Sequence, residues 1–123
     1  MRIGMSRQRI GLGCRGEELA AQELQRRGYE IVERNWRCEV GEADIVARRG
    51  AVWAFVEVRT RRGEAFGTPE ESVTPQKRAR MRAVAERYMA EHGLWEADGQ
   101  LLVVAVEIDP AGRLQRVDVL EMD

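Results

Sequence analysis

The sequence predicts one α/β domain, a mixed central β-sheet flanked by two main helices in the order αβββαββ, and three observations carry that prediction. Residues Glu42–Arg48 and Ala51–Arg59 alternate in character with a period of two and lie so close together that a hairpin is the natural connection. Met81, Val84, Ala85, Tyr88 and Met89 fall at i, i+3, i+4, i+7 and i+8 behind Thr74-Pro75, an N-cap followed by proline at the first helical position. Leu101–Ile108 is almost continuously apolar, as a strand covered on both faces is. A chain of 123 residues, 44% hydrophobic and 33% charged, suffices for one core, so residues 1–123 are expected to form a single domain.

Along the chain, residues 1–15 hold Arg2, Arg7, Arg9, Arg15 and the glycines Gly4, Gly11 and Gly13 without an acid, and read as a mobile basic arm able to touch phosphates. Leu19, Ala20 and Leu24 recur near helical spacing, Glu17 and Glu18 suit a first turn, and Arg26, Arg27 and Gly28 suit an end, so the first helix is expected to open at Gly16. Tyr29–Trp36 mixes β-branched and aromatic residues with polar ones, as a half-buried strand does. In the hairpin, Val52, Ala54, Val56 and Val58 share one face, and Trp53, Phe55, Glu57 and Arg59 share the other. A turn centred on Arg49-Gly50 sets Asp44 opposite Phe55 and Glu42 opposite Glu57, which makes Asp44 and Glu57 diagonal neighbours roughly 7–8 Å apart. The Gly- and Pro-containing segment 60–73 reads as a long loop able to act as a flap. Helix two is expected to end near Gly93, and Pro110–Gly112 turns the apolar strand into a last one, Leu114–Leu120.

Composition excludes several classes. No run approaches the ~18 apolar residues of a membrane span, and the basic start lacks the apolar stretch of a secretory signal, so a cytoplasmic protein without membrane contact is expected. Cys14 and Cys38 lack the spacing of a zinc site, and His92, the only histidine, sits at a helix end where it suits a cap. Neither a P-loop nor a dinucleotide glycine fingerprint is present. The net charge of −1 hides a division: residues 1–82 carry 17 basic and 12 acidic groups, residues 83–123 carry 3 and 9. Nineteen of the 20 basic residues are arginine, whose planar guanidinium suits phosphate, although a biased base composition of the genome gives the same excess.

The chemistry centres on Asp44 and Glu57. With Glu42 they crowd three negative charges, which raises a carboxyl pKa or recruits a cation, and oxygen ligands without histidine favour Mg²⁺ or Mn²⁺ over zinc. The plainer alternative is a solvent-facing set of acids paired with the neighbouring arginines. Gly41-Glu42-Ala43-Asp44 followed by Glu57-Val58-Arg59 resembles the Asp…Glu-x-Lys core of the PD-(D/E)XK nucleases. Gly16-Glu17 with Ala20, Arg34-Asn35 with Arg37, Phe55–Arg59 and the helix-opening Lys77 together resemble the uncharacterised YraN family, which is similar to archaeal Holliday-junction resolvases.

That resemblance implies a restriction-endonuclease-like fold. Residue by residue it implies Glu17, Asp44 and Glu57 as catalytic and metal-site acids, with Arg59 beside them and Gln76 or Lys77 approaching phosphate. Arg78, Arg61, Arg62 and Arg9 are further expected nucleic-acid contacts, as members of the basic cluster 77–82, the loop and the arm. Two positions depart from the pattern. Arg59 stands where the wider superfamily has lysine and stays protonated, so it can orient groups or stabilise charge but cannot take a proton. Leu102 stands where the family often has an aspartate. The expected activity is Mg²⁺- or Mn²⁺-dependent hydrolysis of structured or branched DNA, with a homodimer favoured by the resolvase resemblance. The alternatives are a catalytically inactive nucleic-acid-binding module of the same fold, and a protein-interaction domain whose acidic C-terminal third meets a basic partner.

Overall fold

The computed structural model of the protein describes residues 7–63 and 67–122, with side chains from Arg15 onward. The elements are α1 (Arg7–Arg26), β1 (Glu30–Cys38), β2 (Gly41–Arg49), β3 (Val52–Arg62), a 3-10 turn (Pro69–Ser72), α2 (Pro75–Glu91), β4 (Asp98–Ile108) and β5 (Leu114–Met122). The expected order αβββαββ is found. The five-stranded sheet runs β1-β2-β3-β4-β5; β3 and β4 are parallel, because α2 carries the chain back across the sheet between them, and the other neighbours are antiparallel.

The alternation expected of β3 is what divides the core. Ala54 and Val56 pack with Ile45, Ala47, Val104 and Val106 beneath Ala20, Ala21 and Leu24 of α1. Phe55 packs on the opposite face with Val46, Val103 and the Met81, Val84, Tyr88 stripe of α2, and Trp53 lies against that cluster. The two helices thus cover opposite faces, and β4, buried on both sides, is the apolar run that the sequence displays. His92 caps α2 as expected: its Nδ1 lies 2.8 Å from the Tyr88 carbonyl and its ring stacks on Tyr88 at 3.8 Å.

Three expectations are corrected. The first helix opens at Arg7, so most of the proposed arm is helical; residues 1–6 lie outside the described residues. Glycine costs about 1 kcal/mol per position in a helix, which weakens but does not end one already propagating through cooperative hydrogen bonds. The segment 60–73 is not wholly loop, since β3 continues to Arg62 and the 3-10 turn follows, with Pro69 and Val73 buried. The hairpin turn lies one residue later than expected. Arg49 pairs with Val52 and Ile45 with Val56, so Gly50-Ala51 forms the turn, Phe55 opposes Val46 rather than Asp44, and the line of pairing brings Asp44 level with Glu57. Gly50 has φ +62° and Ala51 is not among the left-handed residues, as a type II′ turn with glycine first requires. The shift moves the pairing by two positions, so the faces assigned to Phe55 and Glu57 are unchanged.

At the end of α1, the nearly buried Glu23 accepts bonds from Arg26 Nε (3.0 Å) and Arg27 Nε (2.8 Å). Hydrogen bonds from Arg26 and then Arg27 hold its carboxyl down to about 2, against an ordinary 4.5. A depressed carboxyl stabilises the fold above its unfolded pKa and loses that contribution as pH falls through the folded value. Urea unfolding of wild type and Glu23→Gln is therefore expected to show a stability difference that is full at pH 6 and fades between pH 4.5 and 2. A difference independent of pH over that window removes the ion pairs as its cause.

Candidate functional site

Pairing between β2 and β3 stops at Ile45↔Val56, although both strands continue. Past that point Asp44 Oδ2 accepts the Val58 N–H at 2.8 Å, so a side chain takes the place of a backbone acceptor and the strands part. Asp44 and Glu57 stand at the parting and line an open cleft of about 470 Å³ together with Glu42, Arg59, Lys77 and Arg80. Acids come from the sheet; Lys77 and Arg80 come from α2, one turn apart on one helix face.

The acids feel one another. Burial, then the charge of Glu57, pushes the Asp44 carboxyl up to about 7, against the opposing bond from Val58; Glu17 and Glu42 push the same way. Glu17, reaching in from α1, is also raised, first by burial, with the Asn35 amide opposing and Glu42 and Glu57 contributing. Asn35 is itself unusual, the one non-glycine described residue with positive φ (54°), lying in β1 between the pairs Arg34↔Ile45 and Trp36↔Ala43 and so level with Asp44. Backbone strain of this kind gathers at functional sites.

The bases are held in place. Arg59 donates from Nη1 to Glu57 (3.1 Å) and from Nε to the Ser72 hydroxyl (2.8 Å). Lys77 donates from Nζ to the Ser72 carbonyl (3.2 Å), while its backbone N–H is capped by Thr74 Oγ1. Arg37 donates from Nε to Glu42 at 2.7 Å on the rim.

Of the residues singled out by sequence, Asp44, Glu57, Arg59 and Lys77 converge and Glu17 lies within their field. Gln76 and Arg78 are exposed on the first turn of α2 outside the cleft. Arg61 and Arg62 lie at the far end of β3, level with Glu107 and Ile108, where Arg62 donates to the Pro110 carbonyl. The backbone of Arg9 is in α1; its side chain lies outside the described residues. Sequence reasoning reached Arg80 only as a member of the basic cluster 77–82 and did not single out Ser72. The i+3 spacing of Arg80 from Lys77 is a signal that finds it, whereas nothing local marks Ser72.

Fold and site together define an α/β protein whose mixed five-stranded sheet opens at the β2–β3 parting into a cleft lined by acids of the sheet and by basic side chains of the sheet and α2. Residues 16–122 match the uncharacterised protein family UPF0102, and the chain belongs to that family, the YraN-like group that its motifs resemble. It is similar to the UPF0102 proteins of Nocardia farcinica (52% identity over 83% of this chain and 80% of that one) and Acidothermus cellulolyticus (48% over 92% and 88%). The UPF0102 protein of Roseiflexus castenholzii is 48% identical over 85% of each chain. Among the described residues no helix is long and apolar enough to cross a membrane.

Proposed function

We propose that the cleft hydrolyses phosphodiester bonds in structured or branched DNA with the help of Mg²⁺ or Mn²⁺, on a sheet of restriction-endonuclease type, in the cytoplasm. The observation that carries the reading is the placing of Asp44 and Glu57 at the strand parting, with Arg59 beside them and Lys77 and Arg80 of α2 lining the same cleft. A phosphodiester is an anion, so a site built to cut it needs positive charge for the phosphate and oxygen donors for a cation.

The donor set fits the cation. Asp44 is a carboxylate whose ionisation is opposed by burial and by Glu57, and a divalent cation held by these acids would offset both penalties. Mg²⁺ keeps several waters and binds through one or two carboxylates, so a pair of carboxylates is donor enough for it. Asp44 and Glu57 would hold it, with Glu17 adding charge from α1. When bound, such an ion polarises the phosphoryl oxygen and lowers the pKa of a water.

The chain's own groups do the rest. Arg59 is permanently protonated and fixed by Ser72, so it orients the phosphate and offsets charge developing on it. Lys77 and Arg80 meet the non-bridging oxygens of the backbone from the first turns of α2, where the helix dipole also favours an anion. A second copy of the chain would bring a second such cleft to the opposite strand.

One observation favours a second reading, a module that binds nucleic acid without cutting it: Arg59 occupies Glu57 in an ion pair, and arginine cannot take a proton from water. Labelled four-way-junction, flap and single-stranded DNA incubated with Mg²⁺ or Mn²⁺ separates the two. Cleavage by wild type that Glu57→Gln abolishes, with binding retained, is the expected result. Salt-sensitive binding without cleavage under either metal establishes the second reading. Absence of both overturns the nucleic-acid function and leaves a protein partner.

A further inference from the structure

One residue, Ser72 at the end of the 3-10 turn, accepts a bond from both the Arg59 guanidinium and the Lys77 ammonium. What fixes the turn decides where the cleft's positive charge points. Its two apolar anchors, Pro69 and Val73, are buried, and such contacts hold an element near the sheet without setting its rotation, because burial is not directional. Direction comes from hydrogen bonds. Within the turn, Glu71 accepts from the Thr68 N–H (3.0 Å) and hydroxyl (2.9 Å), and the Ser72 hydroxyl lies within bonding distance of the Pro69 carbonyl.

Between the turn and the sheet, the directional bonds other than that of Arg59 to Ser72 come, among the described residues, from Arg116 of β5. Its Nη1 and Nη2 donate to the two carboxylate oxygens of Glu70 at 3.0 and 2.7 Å, a planar two-point grip. The same guanidinium is locked on the sheet, Nη1 donating to Glu107 of β4 (2.8 Å) and Nε to Asp118 of β5 (2.8 Å). All four side chains are at least half-buried. The Glu70 carboxyl is held below its usual range, first by the bond from Arg116, as expected of a pair that is formed and kept.

We infer that Arg116 is a positioning residue for the cleft: by clamping Glu70 to β4 and β5 it sets the rotation of the 3-10 turn, and through Ser72 it aims the Arg59 guanidinium and the Lys77 ammonium. The catalytic meaning of that aim rests on the function proposed above; the mechanical link does not. Among the described residues Arg116 makes its hydrogen bonds and ion pairs to Glu70, Glu107 and Asp118 and to no cleft residue, and sequence gives no hint of it, since it lies 57 positions from Arg59 on the far edge of the sheet.

The test reads the link directly. In the ¹⁵N-labelled full chain, the Arg59 Nε–H donated to Ser72 is expected to give a protected resonance, assigned by its loss in Arg59→Lys. Arg116→Ala and Glu70→Gln are each expected to speed its exchange with water about tenfold or more, as Ser72→Ala does, with Arg116→Lys intermediate because lysine keeps the charge and loses the fork. Should Arg116→Ala fail to fold, Glu70→Gln decides, because it leaves Arg116 bonded to Glu107 and Asp118. Exchange unchanged in folded Glu70→Gln and Arg116→Lys overturns the inference. In the cleavage assay Arg116→Lys is expected to lower kcat about tenfold with KM little altered, as misplacement of a positioned group does. Wild type that cuts no DNA defeats the proposed function alone, and the exchange measurement still decides the link.

Discussion

Asp44→Asn is expected to yield a protein that is more stable than wild type and unable to cleave. At pH 8 the wild-type carboxylate is ionised against burial and the charge of Glu57, with a folded pKa of about 7 against the ordinary 3.8. The folded state therefore binds more protons than the unfolded state between those values, and stability falls as pH rises from 4 through 7, with the full penalty present above 7. Asparagine carries no charge and its amide oxygen still accepts the Val58 N–H, so the substitution removes the penalty and keeps the bond that holds the strand parting. The gain is expected to be ~2–3 kcal/mol at pH 8 and to shrink toward pH 4, read by urea unfolding of both proteins without divalent cation. Addition of Mg²⁺ is expected to close the gap, stabilising wild type by about 2–3 kcal/mol once it exceeds its dissociation constant a hundredfold, and leaving the variant unchanged. A variant less stable than wild type at pH 8 would mean that Asp44 is an ordinary structural carboxylate. Equal stabilisation of both proteins by Mg²⁺ would place the cation elsewhere.

Gly16→Ala is expected to destabilise the protein even though alanine is the better helix former. Gly16 is buried where α1 crosses β3, and a Cβ there would stand 2.0 Å from the Thr60 hydroxyl oxygen and 3.2 Å from its Cβ. Turning the Thr60 side chain gives limited relief, because its Cβ stays 3.2 Å away in every rotamer and its hydroxyl and methyl must both find room elsewhere, so the helix must shift from the sheet. Overpacking of this kind costs about 1–3 kcal/mol, while replacing glycine in a helix returns up to ~1 kcal/mol, and the net expected loss is about 1–2 kcal/mol. Since Glu17 is the next residue, the same movement draws its carboxylate away from Asp44 and Glu57, and activity is expected to fall more than stability alone explains. Thr60→Ala in the same chain removes the nearest atom and is expected to restore most of both. Thermal and urea unfolding of the two single variants and the double variant reads the coupling; simple additivity would show that α1 and β3 are not in contact at this point.

Much of this protein is written locally. The period-two alternation of β3 predicts which residues meet α1 and which meet α2, and the core clusters follow it, because a strand turns each side chain to the opposite face of its neighbour whatever lies around it. The α2 stripe and its Thr74-Pro75 start are likewise properties of a short segment. Glu57 and Arg59 meet because residues two apart share a strand face. Where the sequence misled, the deciding term was small or distant. The hairpin register turned on one turn residue, and the start of α1 on two glycines whose helix cost is of the order of thermal energy.

The site is a different matter. Family motifs pointed to Glu17, Asp44, Glu57 and Lys77, but that they share a field depends on α1 and α2 packing against the same sheet from opposite sides. The strand parting that lets Asp44 turn onto Val58, the raised Asp44 pKa, and the chain of contacts from Arg116 through Glu70 and Ser72 to Arg59 belong to the tertiary structure alone. Sequence by itself determined the elements, their faces and the residues able to carry charge, since these follow from backbone periodicity and side-chain chemistry within a few residues. Only the folded structure decided which charges are buried and which face one another, because burial and Coulomb interaction depend on distances that residues as far apart in the chain as Glu17 and Lys77 acquire only when the sheet has formed.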